Sequence, residues 1–164
     1  MPIYTRKGDA GTTSLYGSVR IDKDAPSIEV CGNIDELSAS LGILRADGVQ
    51  PFEPLIVRIQ QELIAFCADI VSDSITISQE HVRQLELEID RLELELPPLT
   101  QFVIAGENRV SAALHFSRTI CRRAERSLVT LLRTQQKSPH LAAYLNRLGD
   151  LLFVMARCVC KLSK

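Results

Sequence analysis

The last part of the chain, LAAYLNRLGDLLFVMARCVCKL (Leu141–Leu162), carries the clearest structural pattern in the sequence. Apolar side chains recur along it at alternating intervals of three and four residues, at Leu141, Leu145, Leu148, Leu152, Met155, Val159 and Leu162. Because an α-helix turns once in about 3.6 residues, this spacing places all of them on one face. The stretch therefore predicts a long amphipathic helix whose apolar stripe must be covered by other helices.

Four earlier segments repeat this pattern, and each is bounded by a turn-rich break. The breaks are DGVQPFEP, SDSITIS, LPPLTQFVIAGEN and QQKSPH, and Ser78, followed by Glu80, is a suitable helix N-cap. The apolar positions of the four segments are Ile34, Leu37, Leu41 and Leu44; Ile56, Ile59, Leu63, Phe66 and Ile70; Val82, Leu85, Ile89, Leu92 and Leu96; and Val110, Leu114, Cys121, Ala124, Leu128 and Leu131.

Five such helices joined by short connections predict an all-α five-helix bundle. With 164 residues the chain fits a single domain, 1–164, and it has no internal repeat or linker. We expect residues 1–26 to form a glycine-rich loop segment and residues 27–164 to form the bundle.

Composition narrows the class of function. The formal net charge is −1, which argues against binding to nucleic acid or to an anionic membrane. Aromatic residues are only 5% and Trp is absent, so stacking on bases is also disfavoured. The chain begins with no apolar signal sequence and has no apolar run of membrane-spanning length, which predicts a cytoplasmic protein. The five scattered cysteines are expected to be reduced thiols, several of them buried.

The loop near the start reads YTRKGDAGTTSLYG (Tyr4–Gly17) and combines three glycines with hydroxyl side chains. Such a loop can present backbone N–H groups and hydroxyls to an anion, because glycine allows positive φ and close approach. It has neither the G-x-x-x-x-G-K-[ST] pattern nor the spacing of a dinucleotide fingerprint. An ordinary surface turn is the alternative interpretation.

The fourth predicted helix carries an arginine stripe. Arg118, Arg122 and Arg126 recur at four-residue spacing, Arg123 flanks them, and Glu125 follows Arg122 by three residues. Arginines on one face repel one another unless an anion lies against them, and the planar guanidinium suits a phosphate or a carboxylate. A solvated face or a salt-bridge network between subunits remains the alternative.

Other polar residues are less specific on their own. Asp35 and Glu36 are expected in the first turn of the first helix, where the helix dipole stabilises carboxylates. Asn146, Arg147 and Asp150 are either a polar patch inside the bundle or part of its outer surface. The sequence contains no E-x-x-H and no G-x-S-x-G, so neither a di-iron bundle nor a serine nucleophile is indicated.

Three segments together resemble the PduO-type ATP:cob(I)alamin adenosyltransferases: YTRKGDAGTTSLYG, CGNIDELSASLG, and SAALHFSRTICRRAERSLV with the later YLNRLGDLLFVMAR. The resemblance runs from Ile3 to about Arg157 in the family's order and spacing. It implies a five-helix bundle that assembles as a homotrimer with active sites between subunits. It also implies transfer of the 5′-deoxyadenosyl group of ATP to cobalt(I) of a corrinoid, with Mg²⁺ and release of triphosphate.

The resemblance also implies roles for individual residues. For the corrinoid, Asp35 is implied to pair with Arg118, and Phe102 is implied to displace the lower axial ligand of the cobalt. On its own pattern, Phe102 is instead interpreted as a core residue. Residues implied to bind ATP are Thr5, Arg6, Lys7, Gly8, Thr13, Ser14, Lys23, Arg122, Arg123, Glu125, Arg126 and Asn146.

The chain departs from the family pattern at two internal places. Ala10 stands where the family loop usually has lysine, and Ala105–Glu107 stands where it usually has P-G-G. These departures leave open a non-catalytic trimer that binds ATP or a corrinoid as a carrier or sensor. A purely structural bundle, with the arginines at subunit contacts, is a third interpretation.

The resemblance implies the classes of protein with which an active enzyme would work, but not the individual partners. A reductase that makes cobalt(I) and an adenosylcobalamin-dependent enzyme that uses the product are expected partners. Little sequence follows the last apolar stripe, so any C-terminal segment that covers the corrinoid is expected to be short.

Overall fold

The computed structural model describes residues 3–14, 20–72 and 74–162, with side chains as far as Lys161. Gly17 and the loop residues around it, and the side chain of Leu162, lie outside the described residues. The described helices confirm the predicted five-helix bundle; they are α1 (Pro26–Ala46), α2 (Glu53–Val71), α3 (Gln79–Glu93), α4 (Arg109–Leu132) and α5 (Pro139–Leu162).

The helices pack in an order that differs from their order in the chain. Helix α4 packs against both α1 and α5, α3 packs against α5, and α2 packs against α1. Helix α4 therefore lies between α1 and α5.

The predicted apolar stripes form the core. Leu141, Leu145, Leu148, Leu152 and Met155 of α5 are all fully buried. The buried face of α5 is wider than the stripe, because α5 packs against both α4 and α3. Burial of these side chains contributes roughly 1.5–3 kcal/mol each before the entropy of folding is subtracted.

One residue outside the predicted stripe connects the core to a carboxylate. Tyr144 of α5 is fully buried, and its hydroxyl donates a hydrogen bond to Glu62 Oε2 of α2 at 2.7 Å. Burial, followed by the nearby Glu62 charge, raises the pKa of Tyr144 well above its ordinary value. The phenol therefore stays protonated and can keep donating this bond.

The expected positions of Asp35 and Glu36 in the first turn of α1 are wrong. The helix begins at Pro26, so both residues lie in its third turn, and Glu29 is the first-turn carboxylate. Proline suits the start of a helix because its missing N–H would have no partner there. In α3, the predicted N-cap Ser78 is confirmed, and its backbone N–H donates to His81 Nδ1 at 3.2 Å.

The N-terminal segment forms a small sheet that the sequence analysis did not predict. Strand β1 (Thr12–Ser14) pairs antiparallel with β2 (Arg20–Asp22), with Thr13 opposite Ile21. Both strands have three residues, too few for a visible alternation of apolar and polar side chains.

The connection from α2 to α3 is organised by one buried carboxylate. Asp69 is 1% exposed and accepts hydrogen bonds from the backbone N–H groups of Thr76 and Ile77, at 2.8 and 2.7 Å, and from Ser74 Oγ at 2.8 Å. Burial alone would raise the pKa of Asp69, but these hydrogen bonds outweigh it and hold the pKa below its ordinary value.

None of the described helices combines the length and the apolar character that a bilayer crossing requires. Among the cysteines, Cys121 and Cys158 are buried, as predicted for small apolar side chains.

We expect Asp69→Asn to lower the free energy of unfolding at pH 7 by about 1–3 kcal/mol, because the amide nitrogen cannot accept a backbone N–H. Chemical denaturation of both proteins measures the difference. Since the folded-state pKa of Asp69 is depressed, its stabilisation is present above the unfolded-state pKa and is lost as the pH falls through the folded-state value.

The difference between the two proteins should therefore shrink below about pH 4. Asp90→Asn, on the exposed side of α3, is the matched control and should change stability by less than about 0.5 kcal/mol. An Asp69→Asn protein as stable as the control would contradict this role.

Candidate functional site

The arginine stripe lies along the line where α4 meets α5. The guanidinium carbon of Arg118 is 5.3 Å from the centre of the Phe153 ring. One turn later, Cγ of Arg122 is 3.9 Å from the position that a Cβ on Gly149 would occupy. Because Gly149 has no side chain, the stem of Arg122 lies close to the α5 backbone while its charged end is exposed.

A third contact continues this line. Asn146 Nδ2 of α5 donates a hydrogen bond to Glu125 Oε1 of α4 at 3.1 Å. The two helices run antiparallel, so positions that ascend on α4 meet positions that descend on α5. Arg118, Arg122, Glu125 and Asn146 therefore share one surface, which we call the α4–α5 face.

The guanidinium of Arg118 is only partly satisfied within the chain. Its Nε is buried and has no hydrogen-bond partner among the described residues. His115 packs its ring 5.9 Å from that of Phe153, and burial, followed by the charge of Arg118, lowers the pKa of His115. The Nε–H of Arg118 therefore remains free to donate a hydrogen bond to a carboxylate or to another acceptor, and the neighbouring neutral His115 adds no positive charge.

Arg123 does not belong to the α4–α5 face. Its Nε donates to Asn33 Oδ1 of α1 at 2.9 Å, and its Nη2 pairs with Glu36 of the same helix. Asn33 also donates to Ser127 Oγ of α4 at 3.2 Å. The residue next to Arg122 therefore joins α4 to α1, while Arg126 at the end of the stripe is exposed.

Asn33 and Ser127 were missed by the sequence analysis. The sequence places Asn33 directly beside the apolar stripe of α1, next to Ile34, and the structure shows that its side chain is only 6% exposed. A buried amide needs hydrogen-bond partners, which are here Arg123 and Ser127.

Asp35 does not pair with Arg118 inside the chain. Among the described residues, no ion pair joins Asp35 to Arg118. Asp35 is exposed on α1, whereas Arg118 lies against Phe153 of α5. The charge of Asp35 instead acts on two thiols, Cys31 and Cys67, on the side of α1 that faces α2. A hydrogen bond from Cys67 lowers the pKa of Cys31, although burial and Asp35 oppose this shift.

The N-terminal loop brings several of the predicted residues together. Lys23 Nζ lies 3.3 Å from the position that a Cβ on Gly8 would occupy, and the Lys23 backbone N–H donates to Gly11 O at 2.9 Å. Gly11 has φ +83°, which favours glycine. Arg6, at φ 59°, stacks over Tyr4, and the side chains of Thr5 and Lys7 are exposed.

Arg20 is a further loop residue that the sequence analysis did not select. Its Nε donates to Thr12 Oγ1 at 3.0 Å, and its Nη2 donates to the carbonyl oxygen of Lys7. These bonds join the two sides of the loop, whereas Thr13 and Ser14 take part in strand β1. Among the described residues, the hydrogen bonds of residues 5–14 stay within residues 5–23, so none of them joins the loop to the α4–α5 face of its own chain.

Phe102 lies in the connection between α3 and α4 and is fully exposed. The interpretation of Phe102 as a core residue is therefore wrong, because its segment leaves the bundle before α4 begins. This segment, with Arg157 of α5, lines a cavity of about 700 Å³. Glu107 lines the same cavity, next to Gly106 at φ +123°.

We expect Phe102→Ala to leave the thermal unfolding midpoint within about 2 °C of the parent protein, because an exposed side chain contributes little to packing. Phe66→Ala, at a fully buried position, should instead cost about 3–5 kcal/mol. Thermal and denaturant unfolding of both variants measure this contrast. A large loss of stability in Phe102→Ala would mean that its side chain packs in the folded protein.

Comparisons with known proteins identify the family of the chain. The family model described as cobalamin adenosyltransferase matches residues 3–159. A corrinoid adenosyltransferase from Citrobacter freundii is 42% identical, with 94% of this chain and 93% of the relative aligned. Corrinoid adenosyltransferase PduO from Salmonella typhimurium is 41% identical over 96% of this chain, and the chain spans about half (49%) of that relative's length.

Solved structures show the same fold. A variant PduO-type ATP:corrinoid adenosyltransferase from Lactobacillus reuteri, complexed with cobalamin and ATP, superposes with a TM-score of 0.91 at 31% identity and covers 99% of this chain and 95% of its own. Another variant of that protein, complexed with ATP, gives 0.92 at 31% identity, covering 98% of this chain and 95% of its own. With the family match spanning nearly the whole chain, the protein belongs to the cobalamin adenosyltransferase family.

Proposed function

We propose that the protein transfers the 5′-deoxyadenosyl group of ATP to the cobalt of cob(I)alamin and releases triphosphate. The observation that carries the proposal is the α4–α5 face, where Arg118, Arg122, Glu125 and Asn146 come together. The names of the relatives, and the cobalamin and ATP in the complexes of the structural neighbours, support the same reaction.

In this reaction the substrate carries the nucleophile. The electron pair of cobalt(I) forms the bond to C5′ of the ribose, the C5′–O bond breaks, and triphosphate leaves with the bonding electrons. The protein has to hold the two substrates in line and stabilise the charge on the leaving group. A catalytic serine or cysteine is therefore not required, since the corrinoid supplies the reactive centre.

Cations from two parts of the fold suit the triphosphate. Arg122 presents an exposed guanidinium on the α4–α5 face, and we propose that Arg126 extends this charge along the helix. The loop adds Arg6, Lys7 and Lys23, with glycine backbone at Gly8 and the hydroxyls of Thr5, Thr13 and Ser14. Arg123 is better suited to holding α1 against α4, because its guanidinium already contacts Asn33 and Glu36.

Mg²⁺ would enter this site with the nucleotide. Among the described residues, no three His, Cys, Asp or Glu side chains come together as a cation site. Mg²⁺ is commonly held by substrate phosphates with few protein ligands, which fits this arrangement. The ion would add positive charge beside the leaving triphosphate.

The position of Phe102 fits a role at the corrinoid. Its exposed ring lies at a cavity lined by its own connection, and it can therefore contact a large ligand without any loss of core packing. We propose that the ring displaces the lower axial ligand of the cobalt. Four-coordinate cobalt(II) is then more easily reduced to the reactive cobalt(I) state.

We propose a homotrimer with sites between subunits. In the described part of the chain, the hydrogen bonds of the loop stay within residues 5–23, and Asp35 forms no ion pair with Arg118 of the same chain. Both features are explained if the loop and Asp35 of one chain face the α4–α5 face of another. The unsatisfied Nε of Arg118 would then receive the carboxylate of Asp35.

The proposed setting is the cytoplasm. A reductase would supply the electrons for cobalt(I), and an adenosylcobalamin-dependent enzyme would consume the product. Neither nucleic acid nor membrane binding is part of the proposal.

A second candidate is a non-catalytic trimer that carries or senses ATP or a corrinoid. It is favoured by Glu107, whose carboxylate lines the same cavity as Phe102, and by Ala10, which leaves the loop with one cation fewer. Binding without turnover would be the result that favours this candidate.

The first test is an anaerobic spectroscopic assay with ATP, Mg²⁺ and chemically reduced cob(I)alamin. We expect formation of adenosylcobalamin, and we expect Arg122→Ala to lower kcat at least about 100-fold, because it removes charge stabilisation from the leaving triphosphate. Arg133→Ala, at the exposed C-cap of α4, is the matched control and should stay close to the parent rate. No turnover by the parent protein, with ATP binding by calorimetry, would favour the carrier or sensor.

A second test addresses the shared site. Asp35→Ala and Arg118→Ala should each lower turnover strongly when assayed alone. Trimers formed from a mixture of the two variants should recover roughly a quarter of the parent activity, because random assembly restores both residues at that share of interfaces. Size-exclusion chromatography with light scattering checks the trimer, and no recovery in verified mixed trimers would place both residues in one chain.

A further inference from the structure

The segment Asn146–Asp150 contains two charged residues to which the proposed function assigns no role, Arg147 and Asp150. In the structure, Arg147 Nε donates to Glu86 Oε1 of α3 at 3.0 Å, and its Nη1 donates to Asp150 Oδ2 at 3.1 Å. The same Nη1 also lies 3.5 Å from Asn146 Oδ1, a long hydrogen bond to the neighbouring side chain. Arg147 therefore connects α3 to a residue of the α4–α5 face.

The amide of Asn146 is held at both ends. Its Nδ2 donates to Glu125 Oε1 at 3.1 Å, and its Oδ1 faces Arg147. A carboxylate can only accept hydrogen bonds and a guanidinium can only donate them. Only one of the two amide orientations satisfies both neighbours, so Glu125 and Arg147 together determine which atom of Asn146 points where.

Arg147 can orient the Asn146 amide only if its own side chain is held in one conformation. Its side chain is 36% exposed and would otherwise sample several rotamers. Glu86 and Asp150 bind separate nitrogens of the guanidinium and so restrict its position. Of these two carboxylates, Glu86 comes from α3, which packs against α5 but supplies no residue to the α4–α5 face.

We propose that Glu86, Arg147 and Asp150 are positioning residues that orient the Asn146 amide for the nucleotide. This inference rests on the proposed function, in which Asn146 contacts ATP. Helix α3 thereby contributes to the nucleotide site through one carboxylate, although it lies on the far side of α5. Loss of this carboxylate leaves Asp150 as the remaining carboxylate on Arg147, so the guanidinium is held less firmly and the orientation of the Asn146 amide is less strictly determined.

The test compares Glu86→Gln and Asp150→Asn with the parent protein. Calorimetry measures the Kd of Mg·ATP, and the anaerobic assay measures KM for ATP and kcat. We expect Kd and KM to rise roughly 5- to 30-fold, as for the loss of a charge-assisted hydrogen bond, with kcat changed less than about threefold. Glu88→Gln is the matched control, because Glu88 pairs with Arg91 of its own helix at 2.9 Å, and it should change neither constant.

A double-mutant cycle separates positioning from a general loss of structure. In an Asn146→Ala background, Glu86→Gln should cause no further rise in the Kd of Mg·ATP, because the residue on which it acts is gone. An equal rise in both backgrounds, or no rise in the parent background, would overturn the proposal. Thermal unfolding of Glu86→Gln should match that of Glu88→Gln, since both carboxylates take part in partly exposed ion pairs.

The outcomes also distinguish this inference from the proposed function. If the parent protein and Glu88→Gln bind ATP but do not turn over, the transferase function fails, while the Kd cycle still tests the network. If both turn over and Glu86→Gln is unchanged in Kd and KM, the network has no positioning role and the transferase function stands. No ATP binding by any of the proteins would overturn both.

Discussion

The structure depends on the burial of α4 between two other helices. Its apolar positions pack against α1 on one side and α5 on the other, and polar side chains lie at both edges of this contact. A four-residue step keeps a side chain on one edge, which is why Arg118 and Arg122 both lie beside α5. A one-residue step turns the side chain by about 100°, which takes Arg123 to the α1 edge.

This geometry divides the arginines by their partners. Arg123 pairs with Glu36 and Asn33 of α1, and Arg147 pairs with Glu86 of α3 and with Asp150 of its own helix. Arg118 and Arg122 take part in none of the ion pairs between described residues, and Arg118 keeps an unsatisfied donor. Paired arginines suit packing and positioning, whereas unpaired ones beside a glycine and an aromatic ring suit an incoming anion.

The two ends of the proposed site are built outside the regular helices. The loop relies on Gly11 at positive φ and on Arg20, which joins its two sides, and the Phe102 segment passes outside the bundle along a cavity. The helices thus hold the arginines of the α4–α5 face in fixed positions, whereas segments of irregular backbone carry the loop residues and Phe102. The connection between α2 and α3, away from the site, is also irregular, and there the carboxylate of Asp69 accepts hydrogen bonds from two backbone N–H groups.

The sequence by itself determined the helix count, the apolar faces and the arginine stripe, because helical periodicity is a local property that any window of the chain displays. Resemblance added the family and the residues to examine. Only the tertiary structure decided that Arg123 turns to α1, that Phe102 is exposed and that Asp35 does not meet Arg118 within one chain. It also revealed the sheet of β1 and β2, and the connection from Glu86 to Asn146 through Arg147. These features join residues far apart in sequence, and their partners depend on which helices pack together, which local spacing does not encode.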